Sequence, residues 1–381
     1  MSFDAKKWPI KRLSECCASI SDGDHQPPPK ADEGVPFVTI SNIVSNKLDF
    51  SDTMHVPMSY YENLDSKRRA QPGDILYSVV GSFGIPVFIE DNAPFVFQRH
   101  IAILRPSSEV VLPKYLYYTM LSPIFYKKAD IAAIGAAQRT ISLTALRNME
   151  IVVPSLDVQQ KVIDLLAPYD NLIATNQKQI ALLEEAAQRI YKEWFIDFRF
   201  PGYEGTTFDN GIPIEWHYGE LGEVAQFRRG KTITKDDAIA GDVPVIAGGL
   251  TPAYYHNQSN TSAPVVTVSG SGANAGFTRM YHIRVWASDC SFIDSFSTKF
   301  IYFVYCYLKA NKQSIDNLQK GSAQPHVYAK DLNQLRALIP SLDIVESFHE
   351  LVKPLFDRIA TLEKQVLLLT EARERILPQL I

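Results

Sequence analysis

The chain has 381 residues, of which 46% are hydrophobic, and a formal net charge of -4 at pH 7. This length predicts two or three domains, each with its own core. No segment approaches the roughly 18 uninterrupted apolar residues of a membrane span, and Met1–Lys11 lacks the apolar core of a signal peptide, so we expect a cytoplasmic protein without membrane association. The four cysteines show no metal-ligand spacing, which favours reduced structural thiols.

The first part of the chain is predicted to be a mixed α/β segment that begins near Trp8. A polar turn at Ser21–Pro29 precedes a strand-like stretch at Val35–Ile40. In Pro72–Gly84 a β-branched run ends in two glycines, which is typical of a tight turn between strands. The pattern of Pro113–Met120 predicts a helix that closes the segment.

A long amphipathic helix is predicted after Pro154 and Ser155. Ser155 and Asp157 are suited to the helix N-terminus, and Pro168 is expected to kink or divide the helix. Beyond Pro168, apolar residues fall at heptad spacing, which predicts a coiled-coil seam. The seam residues are Ile173, Leu183, Ala187, Ile190 and Trp194.

The same order of features then repeats. Trp216–Leu221 has the Trp-x-x-x-x-Leu spacing of Trp8–Leu13, and Val243–Ala247 is strand-like. Ala263–Gly272 again combines a β-branched run with glycines, and Phe300–Leu308 predicts a helix. The final 42 residues, from Pro340, match the 42 residues from Pro154 at 17 positions without a gap.

This internal duplication, at an offset of 186 residues, predicts an α/β protein of two similar α/β domains joined by two long antiparallel coiled-coil helical regions with pseudo-twofold symmetry. Two polar seam positions support pairing of one copy with the other, because Asn176 aligns with Leu362 and Arg373 with Ala187. Helices that pack only on their own domains remain the alternative. The expected boundaries are 1–153 and 201–339 for the domains, and 154–200 and 340–381 for the helical spacers.

Two motifs resemble parts of catalytic sites. Gly270–Gly276 loosely resembles a dinucleotide-binding loop, but Phe277–Trp286 predicts a strand where that motif needs a helix. Asp91–Phe95 resembles the Asn-Pro-Pro-Phe loop of amino-methyltransferases, but Ala93 replaces the first proline and no companion motif is present. An enzyme with a nucleotide at Gly270–Gly276 is therefore the least favoured interpretation.

The residues from Pro154 to Leu166, and their second copy, resemble the conserved regions of the specificity (S) subunit of type I restriction-modification systems. Those regions usually read Pro-Pro-Leu followed by Glu-Gln, whereas this chain has Pro-Ser-Leu in both copies, then Gln159-Gln160 in the first and Val345-Glu346 in the second. The resemblance covers essentially the whole chain. A two-headed scaffold that binds proteins or glycans is the alternative.

The resemblance implies a non-catalytic subunit whose two target-recognition domains read the two parts of a bipartite, asymmetric site in double-stranded DNA. It also implies docking of two methyltransferase (M) subunits and of restriction (R) subunits. S-adenosylmethionine and ATP are then expected on those partners, and no cofactor or metal on this chain. The 28 residues from Pro168 to Phe195 would span roughly 42 Å as a helix, or on the order of 12 base pairs, so the helices are expected to set the gap.

Cationic and amide side chains on predicted loops are the candidates for DNA contact, since they recognise phosphates and base edges. In the first domain they are His25, Gln26, Lys30, Lys67, Arg68, Arg69, Arg99 and Arg139. In the second domain they are Arg228, Arg229, Lys231, Asn274, Arg279 and His326. The candidates for M-subunit docking, on helix faces outside the seam, are Gln160, Lys161, Asp164, Lys178, Glu185, Glu346, Glu350 and Glu371.

Overall fold

The computed structural model of the chain divides into two compact units. Unit 1 contains Met1–Ala174 and Leu367–Ile381, and unit 2 contains Thr175–Val366. Each unit therefore takes part of both predicted helical spacers. The residues that the structure describes are 8–51, 53–135, 138–321 and 324–381.

Unit 1 is a mixed α/β unit built around short strands, and its last helix continues into unit 2. Its elements in chain order are β1 (Ile10–Arg12), α1 (Leu13–Cys16), β2 (Cys17–Asp22), β3 (Val35–Val38), β4 (Ile43–Val44), β5 (Lys47–Leu48), β6 (Met54–Val56), α2 (Met58–Glu62), β7 (Ile75–Ser78), β8 (Pro86–Phe88), β9 (Val96–Phe97), β10 (Ile101–Pro106), α3 (Pro113–Leu121), α4 (Pro123–Ala132), α5 (Leu143–Asn148), β11 (Glu150–Val152) and α6 (Leu156–Phe195).

Unit 2 follows a short connecting hairpin and has a similar order of elements, without counterparts of α1, α2 and the β4–β5 hairpin among its described residues, and its last helix continues into unit 1. In chain order they are β12 (Phe208–Asp209), β13 (Ile212–Pro213), β14 (His217–Glu220), β15 (Arg228–Arg229), β16 (Val243–Ile246), β17 (Tyr254–His256), β18 (Val265–Ser269), β19 (Thr278–Tyr281), β20 (Trp286–Ala287), β21 (Cys290–Asp294), α7 (Ile301–Ala310), α8 (Lys312–Asp316), α9 (Ala329–Asn333), β22 (Arg336–Ile339) and α10 (Leu342–Leu380).

The sheet topology is the same in the two units. The four-stranded sheet has the order β2-β10-β7-β8 in unit 1 and β15-β21-β18-β19 in unit 2. The three-stranded sheets are β6-β3-β9 and β17-β16-β20, and in each the last pair is parallel. The strands β1 and β14 pair with β11 and β22, which precede the long helices. The prediction of two similar domains is therefore confirmed, and the duplication extends well beyond the helices that revealed it.

Both long helices contribute to the core of each unit. In unit 1 the side chains of Leu166 from α6 and Leu377 from α10 are buried in the cluster that contains Tyr115 and Phe125. In unit 2, Ala187 from α6 and Phe348 and Phe356 from α10 are buried around α7. Each fully buried aromatic or leucine side chain contributes about 1.5–3 kcal/mol. Neither unit is therefore complete without residues from both helices.

Pro168, which was expected to kink or divide its helix, and its second-copy counterpart Pro354 both lie inside continuous helices. The helix α6 runs unbroken for 40 residues through Pro168, and α10 runs for 39 residues through Pro354. Both prolines lie on exposed positions, as do Asp164 and Glu350 four residues earlier. Because those positions face solvent, water can satisfy the carbonyl groups that a proline leaves without a helical partner. The expected division of the helices is thus wrong.

The helices run antiparallel within each unit, as predicted. In unit 2, Asn176 Nδ2 donates to Gln365 Oε1 at 3.2 Å, and Trp194 packs edge-on against Phe348. In unit 1, Arg373 Nη1 donates to Asp170 Oδ1 at 2.7 Å. Asp170 also accepts a hydrogen bond from the Tyr118 hydroxyl at 2.7 Å. The Arg373 and Asp170 side chains are only 13% and 18% exposed, so water screens this ion pair weakly.

A half-buried histidine on α10 makes the stability of unit 2 dependent on pH. The His349 ring stacks on Tyr302 with a centroid distance of 4.9 Å, and its Nδ1 atom is buried without a hydrogen-bond partner among the described residues. Burial, and after it the positive charge of Lys353, lowers the pKa of His349 below its usual value, although Glu350 and Glu346 oppose this. Folding therefore favours the neutral ring.

We expect unit 2 to lose stability as the pH falls below about 6.5, the ordinary pKa of an unfolded-chain histidine, towards the lower folded pKa. The unfolded chain binds the extra proton in this window, which favours unfolding. His349→Phe, which keeps the stacked ring, should lose less stability between pH 7.5 and 5.5 than the wild type. Urea unfolding at both pH values measures this, and parallel losses in the two proteins would refute it.

Candidate nucleic-acid interface

Four chain segments meet at one end of the four-stranded sheet of unit 1. They are the end of β2, the β7–β8 loop, the turn before β10 and the loop before α5, and together we call them loop face 1 (residues 22–25, 79–85, 98–100, 134–135 and 138–141). Backbone hydrogen bonds of 2.8–3.1 Å join them. The pairs are Val79 N to His100 O, Ile141 N to Val79 O, Gly81 N to Arg139 O and Gly23 N to Ile101 O.

Unit 2 has the same arrangement at the same end of its sheet. We call it loop face 2 (residues 229–231, 270–277, 288–289, 320–321 and 324–327). The equivalent backbone pairs, at 2.8–3.1 Å, are Gly270 N to Asp289 O, Val327 N to Gly270 O, Gly272 N to Pro325 O and Gly230 N to Cys290 O. The two faces therefore share these four backbone contacts, and they display different side chains.

Each loop face contains a glycine at which no side chain fits. A Cβ atom on Gly23 would lie 2.1 Å from the Phe97 carbonyl oxygen, and one on Gly230 would lie 2.2 Å from the Ser288 carbonyl oxygen. The residues on either side of this glycine differ in charge between the faces. Unit 1 has Asp-Gly-Asp at 22–24, and unit 2 has Arg-Gly-Lys at 229–231. Equivalent backbone positions thus carry carboxylates in one unit and cationic side chains in the other.

Several candidate residues of unit 1 come together beside Gly23. His25 Nε2 lies 2.8 Å from Asp22 Oδ2, and the Arg68 guanidinium lies 3.9 Å from Asp22 and 3.8 Å from Asp24. The Arg99 backbone N–H donates to the Asp24 carbonyl at 2.9 Å. Residues separated by more than 70 positions in the sequence are thereby placed at one corner of loop face 1.

The other candidates of unit 1 divide into two groups. Five side chains make no ion pair or hydrogen bond with a described residue. They are Gln26, Lys30, Lys67, Arg69 and Arg99. Arg139, in contrast, pairs with Asp130 and lies over the Phe83 ring at 5.2 Å. Its donors hold the loop before α5 in place, which leaves few of them for a ligand.

In unit 2 the neighbouring arginines of β15 have different environments. Arg228 Nη2 donates to Asp294 Oδ1 at 3.1 Å, and Asp294 is 2% exposed. Arg228 also lies 4.9 Å above the Phe292 ring. Arg229 is exposed, and its side chain makes no ion pair or hydrogen bond with a residue that the structure describes. Because successive side chains of a strand point to opposite faces, only one of the two can reach Asp294.

Arg229 and His326, both sequence candidates, line the same cavity. Its volume is about 210 Å³, and Asp289 and Tyr328 also border it. The rings of His326 and Tyr328 are nearly parallel, at 5.8 Å and 9°. The Ser271 hydroxyl donates to the Asp289 carboxylate. The cavity therefore combines a free guanidinium, a carboxylate and flat aromatic surfaces.

The remaining candidates of unit 2 support nearby loops. Asn274 Nδ2 donates to the Gly248 carbonyl at 3.4 Å and Arg279 Nη1 to the Leu250 carbonyl at 3.1 Å. Lys231 Nζ lies 6.0 Å from the centre of the Trp286 ring.

Asp22, Asp24, Asp289 and Tyr328 were not among the sequence candidates. The shared glycine could have revealed Asp22 and Asp24 from the sequence. However, Gly23 and Gly230 are 207 residues apart, whereas the internal duplication was recognised at an offset of 186 residues.

All eight residues predicted to dock M subunits are exposed. Gln160 borders an open groove of about 530 Å³ in unit 1, which Phe88 and Lys114 also line. Gln160 donates to Asp164 at 2.8 Å, and Glu346 pairs with Lys299 at 2.8 Å. Docking itself stays a prediction.

The described part of the chain contains no group of three or more His, Cys, Asp or Glu side chains placed to hold a metal ion. Gly270–Gly276 joins two strands, β18 and β19, as expected for a turn rather than a dinucleotide loop.

The four cysteines are free, and burial raises the pKa of Cys17 and of Cys290 to about 12, which leaves both thiols protonated at neutral pH. No described helix is both long and apolar enough to cross a membrane.

Two α/β units of one sheet topology, each ending in a long helix, define the architecture of a duplicated two-domain protein. The family model described as "Type I restriction modification DNA specificity domain" matches residues 5–185 and 213–369. The chain belongs to this family, which confirms the resemblance found in the sequence.

Similar proteins include specificity subunits from an archaeon. The type I restriction enzyme MjaIX specificity subunit of Methanocaldococcus jannaschii is 26% identical over 302 residues, which cover 71% of this chain and 68% of that protein. The putative MjaX specificity subunit of the same organism is 24% identical over 405 residues, covering 98% and 92%. A crystal structure of an S subunit from M. genitalium shares the fold, with a TM-score of 0.53 and 15% identity, over 98% of this chain and 96% of that one.

Proposed function

We propose that the chain is the non-catalytic subunit that gives a type I restriction-modification complex its DNA sequence specificity. Loop face 1 and loop face 2 each read one part of a bipartite site in double-stranded DNA. The observation that carries this proposal is the common backbone scaffold with opposite charge beside Gly23 and Gly230. Because donors and acceptors are exchanged between the faces, the two parts of the site must differ in sequence, and the site is asymmetric.

The charge of the chain argues that it binds DNA together with partners. The net charge is -4, and the long helices are acidic, so a strong phosphate attraction is absent from the chain as a whole. The exposed residues on α6 and α10, including Lys161 and Glu350, are proposed to dock two M subunits, which supply additional DNA contacts. R subunits join the same assembly. Methylation with S-adenosylmethionine and ATP-driven cleavage then belong to the partners, in the cytoplasm.

The test is methylation in a host that lacks other modification systems. The chain is expressed with its cognate M subunit, and modified adenines are mapped across the genome. We expect one motif of two different half-sequences separated by a fixed gap of unspecified bases. A symmetric motif, or methylation by M alone at the same sites, would contradict the proposal.

A further inference from the structure

We propose that Arg229 is the residue with which loop face 2 recognises a guanine base, and that the cavity of Arg229, Asp289, His326 and Tyr328 receives the edge of that base pair. This assignment rests on the proposed DNA-reading function and specifies one of its contacts. Asp22, at the equivalent position of loop face 1, is assigned the opposite role, because its carboxylate accepts hydrogen bonds where Arg229 donates them.

The backbone at Arg229 is rigidly placed. Arg229 pairs with Ser291 in the sheet, and the next two residues donate backbone hydrogen bonds to Cys290 O at 2.8 Å and Ala287 O at 2.9 Å. The close approach at Gly230 prevents any other residue type at that corner. The free guanidinium therefore starts from a fixed point and loses little freedom of the main chain when it binds.

The chemistry of the cavity favours a base edge over a phosphate. A guanidinium presents two parallel N–H donors, which match the O6 and N7 acceptors of guanine. Phosphate would also accept from Arg229, but the Asp289 carboxylate borders the same cavity and would repel it. A base edge carries no net charge, and an amino group of the paired base can donate to a carboxylate. The carboxylate and the guanidinium together therefore fit the edge of a guanine–cytosine pair.

Loop face 1 carries the reversed pattern at the equivalent positions. Asp22 precedes Gly23 as Arg229 precedes Gly230, and His100 occupies the place of Asp289, since its carbonyl accepts the equivalent backbone hydrogen bond. The Asp22 carboxylate is oriented by His25 Nε2 at 2.8 Å. A carboxylate accepts from the amino group of cytosine or adenine and offers nothing to the acceptors of guanine. The two equivalent positions thus distinguish the two parts of the site.

The experiment compares variants of the full chain in complex with its M subunit. After the wild-type motif is mapped, duplexes are prepared in which each guanine of the site is replaced in turn by 7-deazaguanine, which lacks the N7 acceptor. The wild-type complex is expected to lose affinity by about 5-fold to 100-fold at one guanine of one half-sequence. Arg229→Ala should be insensitive to that replacement, and its motif in cells should accept any base there, with the other half-sequence unchanged.

Two further variants separate this contact from charge and from folding. Arg229→Lys keeps the positive charge but not the two parallel donors, so it should also lose the preference for guanine. Arg284→Ala is the matched control, because Arg284 is exposed in unit 2 beyond β19, at the end of the β18–β19 hairpin opposite loop face 2. Its motif should remain that of the wild type.

Three outcomes would overturn the assignment. If Arg229→Ala weakens binding to all sequences equally and lowers the salt dependence by about one ion, Arg229 contacts a phosphate. If the variant keeps every guanine of the motif, Arg229 reads no base. If the wild-type complex has no bipartite motif at all, the proposed function itself fails and this contact fails with it.

Discussion

Arg105→Ala is expected to destabilise unit 1 by about 3–5 kcal/mol, because it leaves a buried carboxylate without its counter-ion. Asp74 is 1% exposed. Arg105 binds it in a two-pronged arrangement, with Nε to Oδ1 at 3.0 Å and Nη2 to Oδ2 at 2.8 Å. The remaining donors of Arg105 hold the carbonyls of Arg69 and Ser66 at 2.9 Å and 3.3 Å. The variant should therefore also release the basic turn that contains Lys67 and Arg68.

Urea unfolding followed by fluorescence measures the loss of stability. Arg105→Ala combined with Asp74→Ala should be more stable than Arg105→Ala alone, since the double variant buries no unpaired charge. The matched control is Lys353→Ala, which removes an ion pair whose two side chains are 54% and 56% exposed and should cost less than about 1 kcal/mol. A loss below about 1 kcal/mol for Arg105→Ala would show that water reaches Asp74.

A matched pair of seven-residue insertions, one between Ala174 and Thr175 of α6 and one between Val366 and Leu367 of α10, is expected to lengthen the gap in the recognised site. The Asp170–Arg373 pair of unit 1 and the Asn176–Gln365 pair of unit 2 lie on opposite sides of these points. Equal insertions preserve both pairs and add about 10.5 Å of helix. At about 3.4 Å per base pair, the gap should grow by at most about three base pairs.

Mapping of modified adenines reports the gap directly, and the half-sequences should stay the same. The control is insertion into α6 alone, which shifts one helix past the other by two turns. One of the two polar pairs is then lost, and the melting temperature should fall. An unchanged gap in a stable complex with both insertions would show that the helices do not set the spacing.

Local patterns predicted much of the fold. The turns at Gly84 and Gly272, the helices α3 and α7 and the antiparallel seam with Asn176 were all expected from residue spacing. These features depend on neighbours within a few positions or on a repeat visible in the sequence. Continuity of α6 through Pro168 was not expected, because it depends on solvent exposure of one side of the helix, which the tertiary structure determines.

The candidate interface was predicted less completely, since its geometry comes from contacts between distant residues. Arg228 and Arg229 are adjacent residues of the same type. Only Asp294, which lies 66 residues after Arg228 and binds it, distinguishes the two. The equivalence of Gly23 and Gly230 was not recognised from the sequence, because the segments between equivalent elements differ in length in the two units. Arg139 was a reasonable candidate, but its partner Asp130 lies on the preceding helix, which a charge pattern does not reveal.

The ion pair of the seam makes the two halves of the chain complementary rather than interchangeable. The copy-two counterpart of Asp170 is Phe356, and the copy-one counterpart of Arg373 is Ala187. Two first helices laid antiparallel in this register would bring Asp170 against Ala187 twice, and two second helices would bring Phe356 against Arg373 twice. Either pairing of two identical helices would place a charged side chain against an apolar residue, without its partner of opposite charge. The helices α6 and α10 therefore favour pairing with each other over pairing with a second copy of themselves.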